Sequence, residues 1–246
     1  MTFDAHPRSS LIVALDFDSL STALKFAEKV GDLVGMFKVG SQLFTTAGPE
    51  AVRQLSKLGA EIFLDLKFHD IPNTVAGAVL ASAALPGVQL VNVHALGGTA
   101  MMQAAAQAVS AGVPMGADRT RLLAVTLLTS MDTKTVREVG ISGPAKSRVV
   151  KLARLSQEAG VDGVVASVQE AKAIRKACGQ EFLIVTPGVR PKSGDLKQDD
   201  QARTATPREA IRAGADFIVV GRPILAATDP RAAAQEIVEE IAAAKP

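Results

Sequence analysis

The chain has 246 residues, of which 48% are hydrophobic and 4% aromatic, and its formal net charge is only +2. Its interspersed charges give little support for binding to nucleic acid or to an anionic membrane surface, and the lack of Trp and Tyr argues against base-stacking platforms. The single Cys178 excludes an intramolecular disulfide and a cysteine-based zinc cluster.

The sequence also bears on where the protein works. The N-terminal stretch MTFDAHPRSS lacks the apolar core of a signal peptide, and no apolar run approaches the ~18 residues needed to cross a bilayer. One cysteine fits a reducing compartment. We therefore expect a cytoplasmic protein that binds no membrane.

Short apolar runs rich in β-branched residues recur along the chain and predict eight strands. Each run is too short for a buried helix and is bounded by Gly, Pro or polar residues. In chain order the runs are LIVALD (11–16), MFKVG (36–40), EIFLDLK (61–67), QLVNVHA (89–95), LLAVTLL (122–128), GVVAS (163–167), FLIVTP (182–187) and FIVVGR (217–222).

Helix-like stretches separate these runs, for example residues 19–30, 49–58 and 147–159, each of which ends at a Gly. The phrases KLGAEIF, EAGVDGV and RAGADFI share one design, in which a helix end and a Gly are followed closely by a strand. Eight near-regular units predict an α/β fold, a single-domain (β/α)₈ TIM barrel over residues 1–246. An open doubly wound sheet is the alternative.

Active sites of such barrels gather at the C-terminal ends of the strands. Polar and special residues fall at these predicted ends: Asp16, Lys38, Asp65, Lys67, His94, Thr129, Ser130, Pro187, Arg190, Gly221 and Arg222. The longest irregular stretch, residues 188–204, has a length that is often found in functional lids.

The stretch FLDLKFHDIPNT, residues 63–74, concentrates charge at the end of a predicted strand. Because side chains alternate along a strand, Asp65 and Lys67 share one face, which would point inward at the barrel mouth near Lys38. Asp70 follows in the loop before the next helix. A lone Asp-x-Lys could be a structural ion pair and Asp70 a helix cap. Four alternating charges instead favour a site that supplies a proton and repels an anion.

FLDLKFHDIPNT closely resembles the signature of the orotidine 5′-phosphate decarboxylase family. The resemblance extends over nearly the whole chain, through VALDF, FKVG, VNVHALGG, AVTLLTSM, DGVVAS, VTPGVRP and VVGRPI in that order. It implies decarboxylation of orotidine 5′-phosphate (OMP) to UMP, the last step of UMP synthesis. It also implies a homodimer of barrels that uses no metal and no organic cofactor.

The resemblance further implies roles for single residues. Lys67 would deliver a proton to C6 of the pyrimidine, and Asp65 would lie beside the departing carboxylate. Lys38 would join the charge network and contact the ribose. Asp70 would complete the network from the neighbouring subunit. The other implied substrate contacts are Ile71 and Thr74 from that subunit, Asp16 at the ribose, Thr129 and Ser130 at the pyrimidine, Arg190, Gln201, Gly221 and Arg222 at the phosphate and lid, and Pro187 beside them.

Several of these residues have plainer interpretations. Asp16 could cap the helix that begins near Ser19, and the Thr129–Ser130 pair could be a simple polar turn. Both arginines could be solvated, although barrels commonly bind phosphate after strands seven and eight, where Arg190 and Arg222 fall. Gly221 would allow a close approach of its backbone to a phosphate. His69 and His94 are given no catalytic role. Each is interpreted as a hydrogen-bonded histidine behind the site or in the core, and neither belongs to a pattern of metal ligands.

Two other functions stay open. One is a magnesium-dependent decarboxylase of sugar-acid phosphates from the same superfamily, which shares the Asp-x-Lys-x-x-Asp core. The other is a non-catalytic nucleotide-binding barrel. The HDIPNT continuation and the LLTSM turn favour the pyrimidine enzyme, and the presence of all four charged residues disfavours a non-catalytic barrel.

Overall fold

The computed structural model describes residues 6–111, 119–191 and 205–244. In these ranges eight parallel strands pair in chain order, and the last strand pairs with the first to close a barrel. The strands are β1 (Leu11–Ala14), β2 (Met36–Gly40), β3 (Ile62–Phe68), β4 (Val88–His94), β5 (Arg121–Val125), β6 (Gly163–Val165), β7 (Leu183–Pro187) and β8 (Phe217–Val220).

Helices follow every strand of this barrel. They are α1 (Leu20–Val30), α2 (Ser41–Ala47), α3 (Pro49–Lys57), α4 (Pro72–Ala83), α5 (Gly98–Ala111), α6 (Thr133–Glu138), α7 (Ala145–Glu158), α8 (Val168–Cys178), α9 (Pro207–Arg212), α10 (Arg222–Leu225) and α11 (Pro230–Ala242). The predicted (β/α)₈ barrel is therefore confirmed. In the described ranges no helix combines the length and the apolar character needed to cross a membrane.

The alternation of side chains along the strands creates two apolar layers. One face packs inside the barrel, where Phe63 and Leu90 belong to a cluster with Phe217. The other face packs against the helices, as Leu64 does. Burial on both sides explains why the strands are nearly continuous apolar runs, and why a charged residue in such a run requires a specific partner.

Four strands end two or three residues earlier than their sequence patterns predict. β1 ends at Ala14 and β5 at Val125, although the apolar patterns continue to 16 and 128. Leu15 and Leu127, which follow these strands, are buried against the helix layer. The apolar pattern in the sequence therefore continues beyond the last residue that pairs with a neighbouring strand. β6 and β8 likewise end at 165 and 220. The residues after these ends form the loops at the barrel mouth.

At the opposite end of the barrel, the aspartates of the EAGVDGV and RAGADFI segments bind the backbone of neighbouring strands. Asp162 accepts a hydrogen bond from the backbone N–H of Leu122 at 2.8 Å, and Asp216 accepts one from that of Ile184 at 2.7 Å. Each carboxylate therefore binds the start of the preceding strand in sequence. Asp162 also pairs with Arg119 and Asp216 with Arg175, so both carboxylates stabilise the barrel far from its mouth.

Candidate active site

A cavity of about 390 Å³ opens at the C-terminal ends of the strands. Apolar residues of the barrel interior, such as Phe63 and Val219, form its floor. Ten of the residues predicted from the sequence line it together: Asp16, Lys38, Asp65, Lys67, Thr129, Ser130, Pro187, Arg190, Gly221 and Arg222. A volume of this size suits a small-molecule ligand.

Asp65 lies at the centre of a charge network in this cavity. Its Oδ1 atom is 2.6 Å from Nζ of Lys67, and its Oδ2 atom is 3.4 Å from Nζ of Lys38. The Lys38 ammonium also lies 3.2 Å from Oδ1 of Asp16. The side chains of Asp65 and Lys38 are almost entirely buried, whereas the Lys67 side chain is 37% exposed at the mouth. The structure thus places two ammonium groups on the two oxygens of one buried carboxylate.

The ionisation of Asp65 follows from these contacts. Burial by itself would raise the pKa of its carboxyl group. The nearby Lys38 and Lys67 ammonium groups, together with hydrogen bonds from Lys67 and Asn92, outweigh burial and hold the pKa below its ordinary value. The carboxylate is therefore charged at neutral pH. It can repel a second anion that enters the same space.

The residues that follow β5, β7 and β8 contribute neutral polar groups and arginines to the cavity wall. Thr129 and Ser130 lie in a turn after β5, in which Met131 N–H donates to the Leu128 carbonyl oxygen at 2.9 Å. Arg190 follows β7, and Arg222 follows β8. Burial and the neighbouring Arg222 lower the pKa of Arg190. Two guanidinium groups that repel each other in this way form a favourable environment for an anion between them.

Comparison with known proteins identifies the family of the chain. The family model described as "Orotidine 5′-phosphate decarboxylase / HUMPS family" matches residues 9–237. The chain belongs to this family.

Curated relatives of this family member match it over nearly their full length. A protein named "Orotidine 5′-phosphate decarboxylase" from Pelobacter propionicus is 54% identical over 97% of this chain and 98% of its own length. A protein of the same name from Trichlorobacter lovleyi is 55% identical over 96% of each chain. The crystal structure of orotidine 5′-phosphate decarboxylase from Lactobacillus acidophilus aligns with a TM-score of 0.82 at 42% identity, and it covers 94% of this chain and 98% of that one.

Three site residues that the family resemblance implies lie outside the cavity of this family member. Asp70 and Thr74 are exposed, and Ile71 is 66% exposed. Within the described residues no ion pair joins Asp70 to Lys38 or Lys67. The Asp70 carboxylate instead accepts a hydrogen bond from the backbone N–H of Ile71 at 2.6 Å. A single chain therefore does not bring these residues to its own charge network. A fourth residue, at position 201, lies outside the described residues.

The plainer interpretations of Asp16 and Asp70 as helix caps differ from the structure. The N-cap of α1 is Ser19, and Asp16 contacts Lys38 instead. The N-cap of α4 is Ile71, one residue after Asp70.

At Gly221, an added β-carbon would have only ordinary contacts, the nearest being Ala14 Cβ at 3.6 Å. Contacts with neighbouring atoms therefore do not by themselves require glycine at position 221.

Asn92 contacts the charged residues of the site, although it is not among the residues predicted from the sequence. It is completely buried on β4, where its amide nitrogen donates to Oδ1 of Asp65 at 2.6 Å. Its amide oxygen accepts from the backbone N–H of Lys67 at 2.8 Å. The sequence does contain a signal, because Asn92 shares a strand face with Leu90, which packs inside the barrel. A polar residue at that level needs a partner, and the charged residues of β3 supply it.

The two histidines near the site form a stacked pair. The rings of His69 and His94 have centroids 5.3 Å apart. Burial, followed by the charges of His69 and Lys67, lowers the pKa of His94. Neither ring lines the cavity. Among the described residues, no group of three or more His, Cys, Asp or Glu side chains is arranged to hold a metal ion.

Proposed function

We propose that this protein decarboxylates OMP to UMP, with Lys67 as the acid and without a metal or organic cofactor. One observation carries the proposal: a buried carboxylate, Asp65, is held between two ammonium groups in a cavity that two arginines also line. Membership of the decarboxylase family and the shared name of its curated relatives support the same reaction.

The arrangement of the cavity suggests how the substrate lies. Arg190 and Arg222 would bind the phosphate, because guanidinium groups form strong charge-assisted hydrogen bonds with phosphate oxygens. Pro187, Gly221 and Gln201 would be further contacts near it. The ribose would lie against Asp16 and Lys38, and the pyrimidine against Thr129 and Ser130. This orientation would direct the C6 carboxylate of OMP toward Asp65 and Lys67.

The chemistry requires stabilisation of a localised electron pair. When the bond between C6 and the carboxylate carbon breaks, CO₂ leaves and its bonding pair stays on C6, in the plane of the ring. The Lys67 ammonium would stabilise this pair by its charge and then donate a proton to C6, which gives UMP. The neutral amine would take a proton back from water, which is possible because the side chain is 37% exposed.

Asp65 would have two effects in this reaction. Its low pKa keeps it ionised, so it repels the carboxylate of bound OMP and this repulsion ends when neutral CO₂ leaves. It also holds the Lys67 ammonium at 2.6 Å, ready for C6. One well-placed donor supplies only ~3–4 kcal/mol, whereas the whole barrier reduction can exceed ~20 kcal/mol. Binding energy from the distant phosphate would therefore contribute as well.

We further propose that the enzyme is a homodimer, single-domain in each subunit and located in the cytoplasm. Asp70, Ile71 and Thr74 would enter the active site of the partner subunit. Support comes from the exposure of all three residues after β3, at the mouth end of the barrel, where a partner subunit could reach them. In a two-fold symmetric dimer each subunit would lend these residues to the other.

A direct assay tests the proposed reaction. Purified protein is dialysed against EDTA and mixed with OMP, and the loss of OMP absorbance is followed together with the release of CO₂. We expect turnover to survive the chelator. Turnover that is lost in EDTA and restored by magnesium would contradict the cofactor-free mechanism. Absence of CO₂ release from OMP under any condition would contradict the reaction itself.

A further inference from the structure

Lys67 has an unusual backbone conformation. Its φ angle is 52°, and it is the one non-glycine residue with positive φ in the described part of the chain. This left-handed region is unfavourable for residues with a β-carbon, and it persists only where the surroundings hold it. The pairing of β3 with β4 shifts register between Leu64 and Phe68, at the same place. The ladder of strand hydrogen bonds therefore does not by itself explain the conformation of Lys67.

Asn92 provides the missing restraint from the neighbouring strand. Its amide oxygen accepts the backbone N–H of Lys67 at 2.8 Å, and its amide nitrogen donates to Asp65 Oδ1 at 2.6 Å. The same Asp65 oxygen lies 2.6 Å from the Lys67 ammonium. One side chain thus contacts both the backbone of the proposed acid and the carboxylate that holds its ammonium.

The chemistry of an amide fits this place better than that of other side chains. The position needs an acceptor toward the Lys67 N–H and a donor toward the carboxylate of Asp65. A reversed amide would set oxygen against oxygen and N–H against N–H, so the two neighbours fix its orientation. Asn92 is completely buried, and a buried amide that lost either partner would leave a polar group unsatisfied.

We propose that Asn92 is a positioning residue, which holds Lys67 in its left-handed conformation and orients Asp65 so that the ammonium faces C6 of the substrate. This inference rests on the proposed decarboxylation. Asn92 lies outside the residues that line the cavity, so it acts through Lys67 and Asp65. Its loss should therefore lower kcat and leave nucleotide binding largely unchanged.

The test compares two substitutions with a matched control. Asn92→Ala should lower kcat by about 100-fold, because small misplacements of a reacting group cost rates of that order. The number of sites that bind UMP, and their Kd, should stay within about three-fold, since phosphate and pyrimidine contacts are untouched. Thr120→Val is the control: it removes another buried hydrogen bond, from Thr120 Oγ1 to the Val88 carbonyl oxygen at 2.8 Å, at the far end of β4. It should reduce stability but leave kcat per UMP-binding site unchanged.

The isosteric Asn92→Asp gives a pH profile that a merely structural role would not produce. At neutral pH two carboxylates would face each other and displace Asp65 and Lys67. Such a pair shares one proton with a raised pKa. Once that proton binds, position 92 again offers a donor to Asp65 and an acceptor to the Lys67 N–H. The variant should regain kcat as the pH falls through this raised pKa, whereas the unmodified enzyme should show no such gain.

Three outcomes would overturn the inference: Asn92→Ala with near-normal kcat per UMP-binding site, Asn92→Asp with the pH profile of the unmodified enzyme, or a crystal structure of either variant with unchanged Lys67 φ and ammonium position. If Asn92→Ala does not fold, the isosteric variant decides. The crystal structure also separates this inference from the proposed function. An unmodified protein that fails to decarboxylate OMP would refute the function, whereas the conformation of Lys67 in the variants tests the positioning by itself.

Discussion

The ammonium of Lys38 occupies the space that a β-carbon at Gly40 would need. An added β-carbon would lie 2.7 Å from Nζ of Lys38 and 3.6 Å from Oδ1 of Asp16. Position 40 has an ordinary φ of −96°, so its backbone conformation does not require glycine. The absence of a side chain at Gly40 instead leaves room for the charge network.

Gly40→Ala should therefore impair activity more than stability. The atom that must move is the flexible end of Lys38, so we expect the free energy of unfolding to change by less than about 1 kcal/mol. The displaced ammonium should lower kcat/KM for OMP by at least about 10-fold, since charged groups near the reacting atoms must be accurately placed. Gly31→Ala is the control, because the nearest atom to its added β-carbon is 4.0 Å away. Equal kcat/KM values in Gly40→Ala and Gly31→Ala would contradict the prediction.

Lys67→Ala should abolish turnover and leave UMP binding largely intact. The proton and the charge of Lys67 matter most in the transition state, so we expect kcat to fall by at least about 10³-fold. Single-turnover kinetics and calorimetric titration with UMP would measure the two effects. Lys134→Ala, which removes an 84% exposed lysine on α6, should behave like the unmodified enzyme. Near-normal turnover by Lys67→Ala would exclude this residue as the acid.

Arg222→Ala should harm reaction of OMP far more than reaction of the phosphate-free nucleoside. A charge-assisted hydrogen bond to phosphate contributes ~1.5–3 kcal/mol, which corresponds to about 10- to 100-fold in kcat/KM for OMP. The value of kcat/KM would be measured for both substrates in Arg222→Ala and in the control Arg208→Ala. The control removes an exposed arginine of α9. If Arg222→Ala lost activity equally on both substrates, Arg222 would not bind the phosphate.

Two inactive variants should complement each other if the active site is shared between subunits. Lys67→Ala and Asp70→Asn homodimers each have two defective sites. After subunit exchange, a hybrid dimer has one site with both lesions and one site with both residues intact. Mixing should therefore restore activity in proportion to the hybrid fraction, which mass spectrometry of tagged subunits would measure. Verified exchange without recovered activity would mean that Asp70 serves its own chain.

The lowered pKa of Asp65 predicts a contribution to stability that depends on pH. A carboxyl group whose pKa is depressed by folding stabilises the protein above its unfolded pKa, and this contribution is lost as the pH falls through the folded pKa. Asp65→Asn should therefore be less stable than the unmodified protein at pH 6. The difference should narrow below the ordinary aspartate pKa, which is 3.8. Urea denaturation at several pH values would measure it, and a difference that stays constant down to acidic pH would contradict the assignment.

The eight strands and most of the site at their ends could be predicted from the sequence, because the signals are local. Apolar runs between glycines predict buried strands, and alternation puts Asp65 and Lys67 on the same face as Phe63. Once the barrel closes, residues that follow different strands must converge at one end. The cavity lined by Asp16, Lys38 and Arg222 is the result.

The tertiary structure alone decided how these residues contact one another. Asn92 and Lys67 are 25 positions apart, and their hydrogen bond lies where the register between β3 and β4 shifts, which no local pattern encodes. The positive φ of Lys67 and the space left at Gly40 arise in the same way, from neighbours that only closure of the barrel brings near. Local composition determines which residues reach the mouth of the barrel. Contacts between strands determine which oxygen each ammonium meets, because those contacts involve groups that are distant in sequence and must fit one packed space.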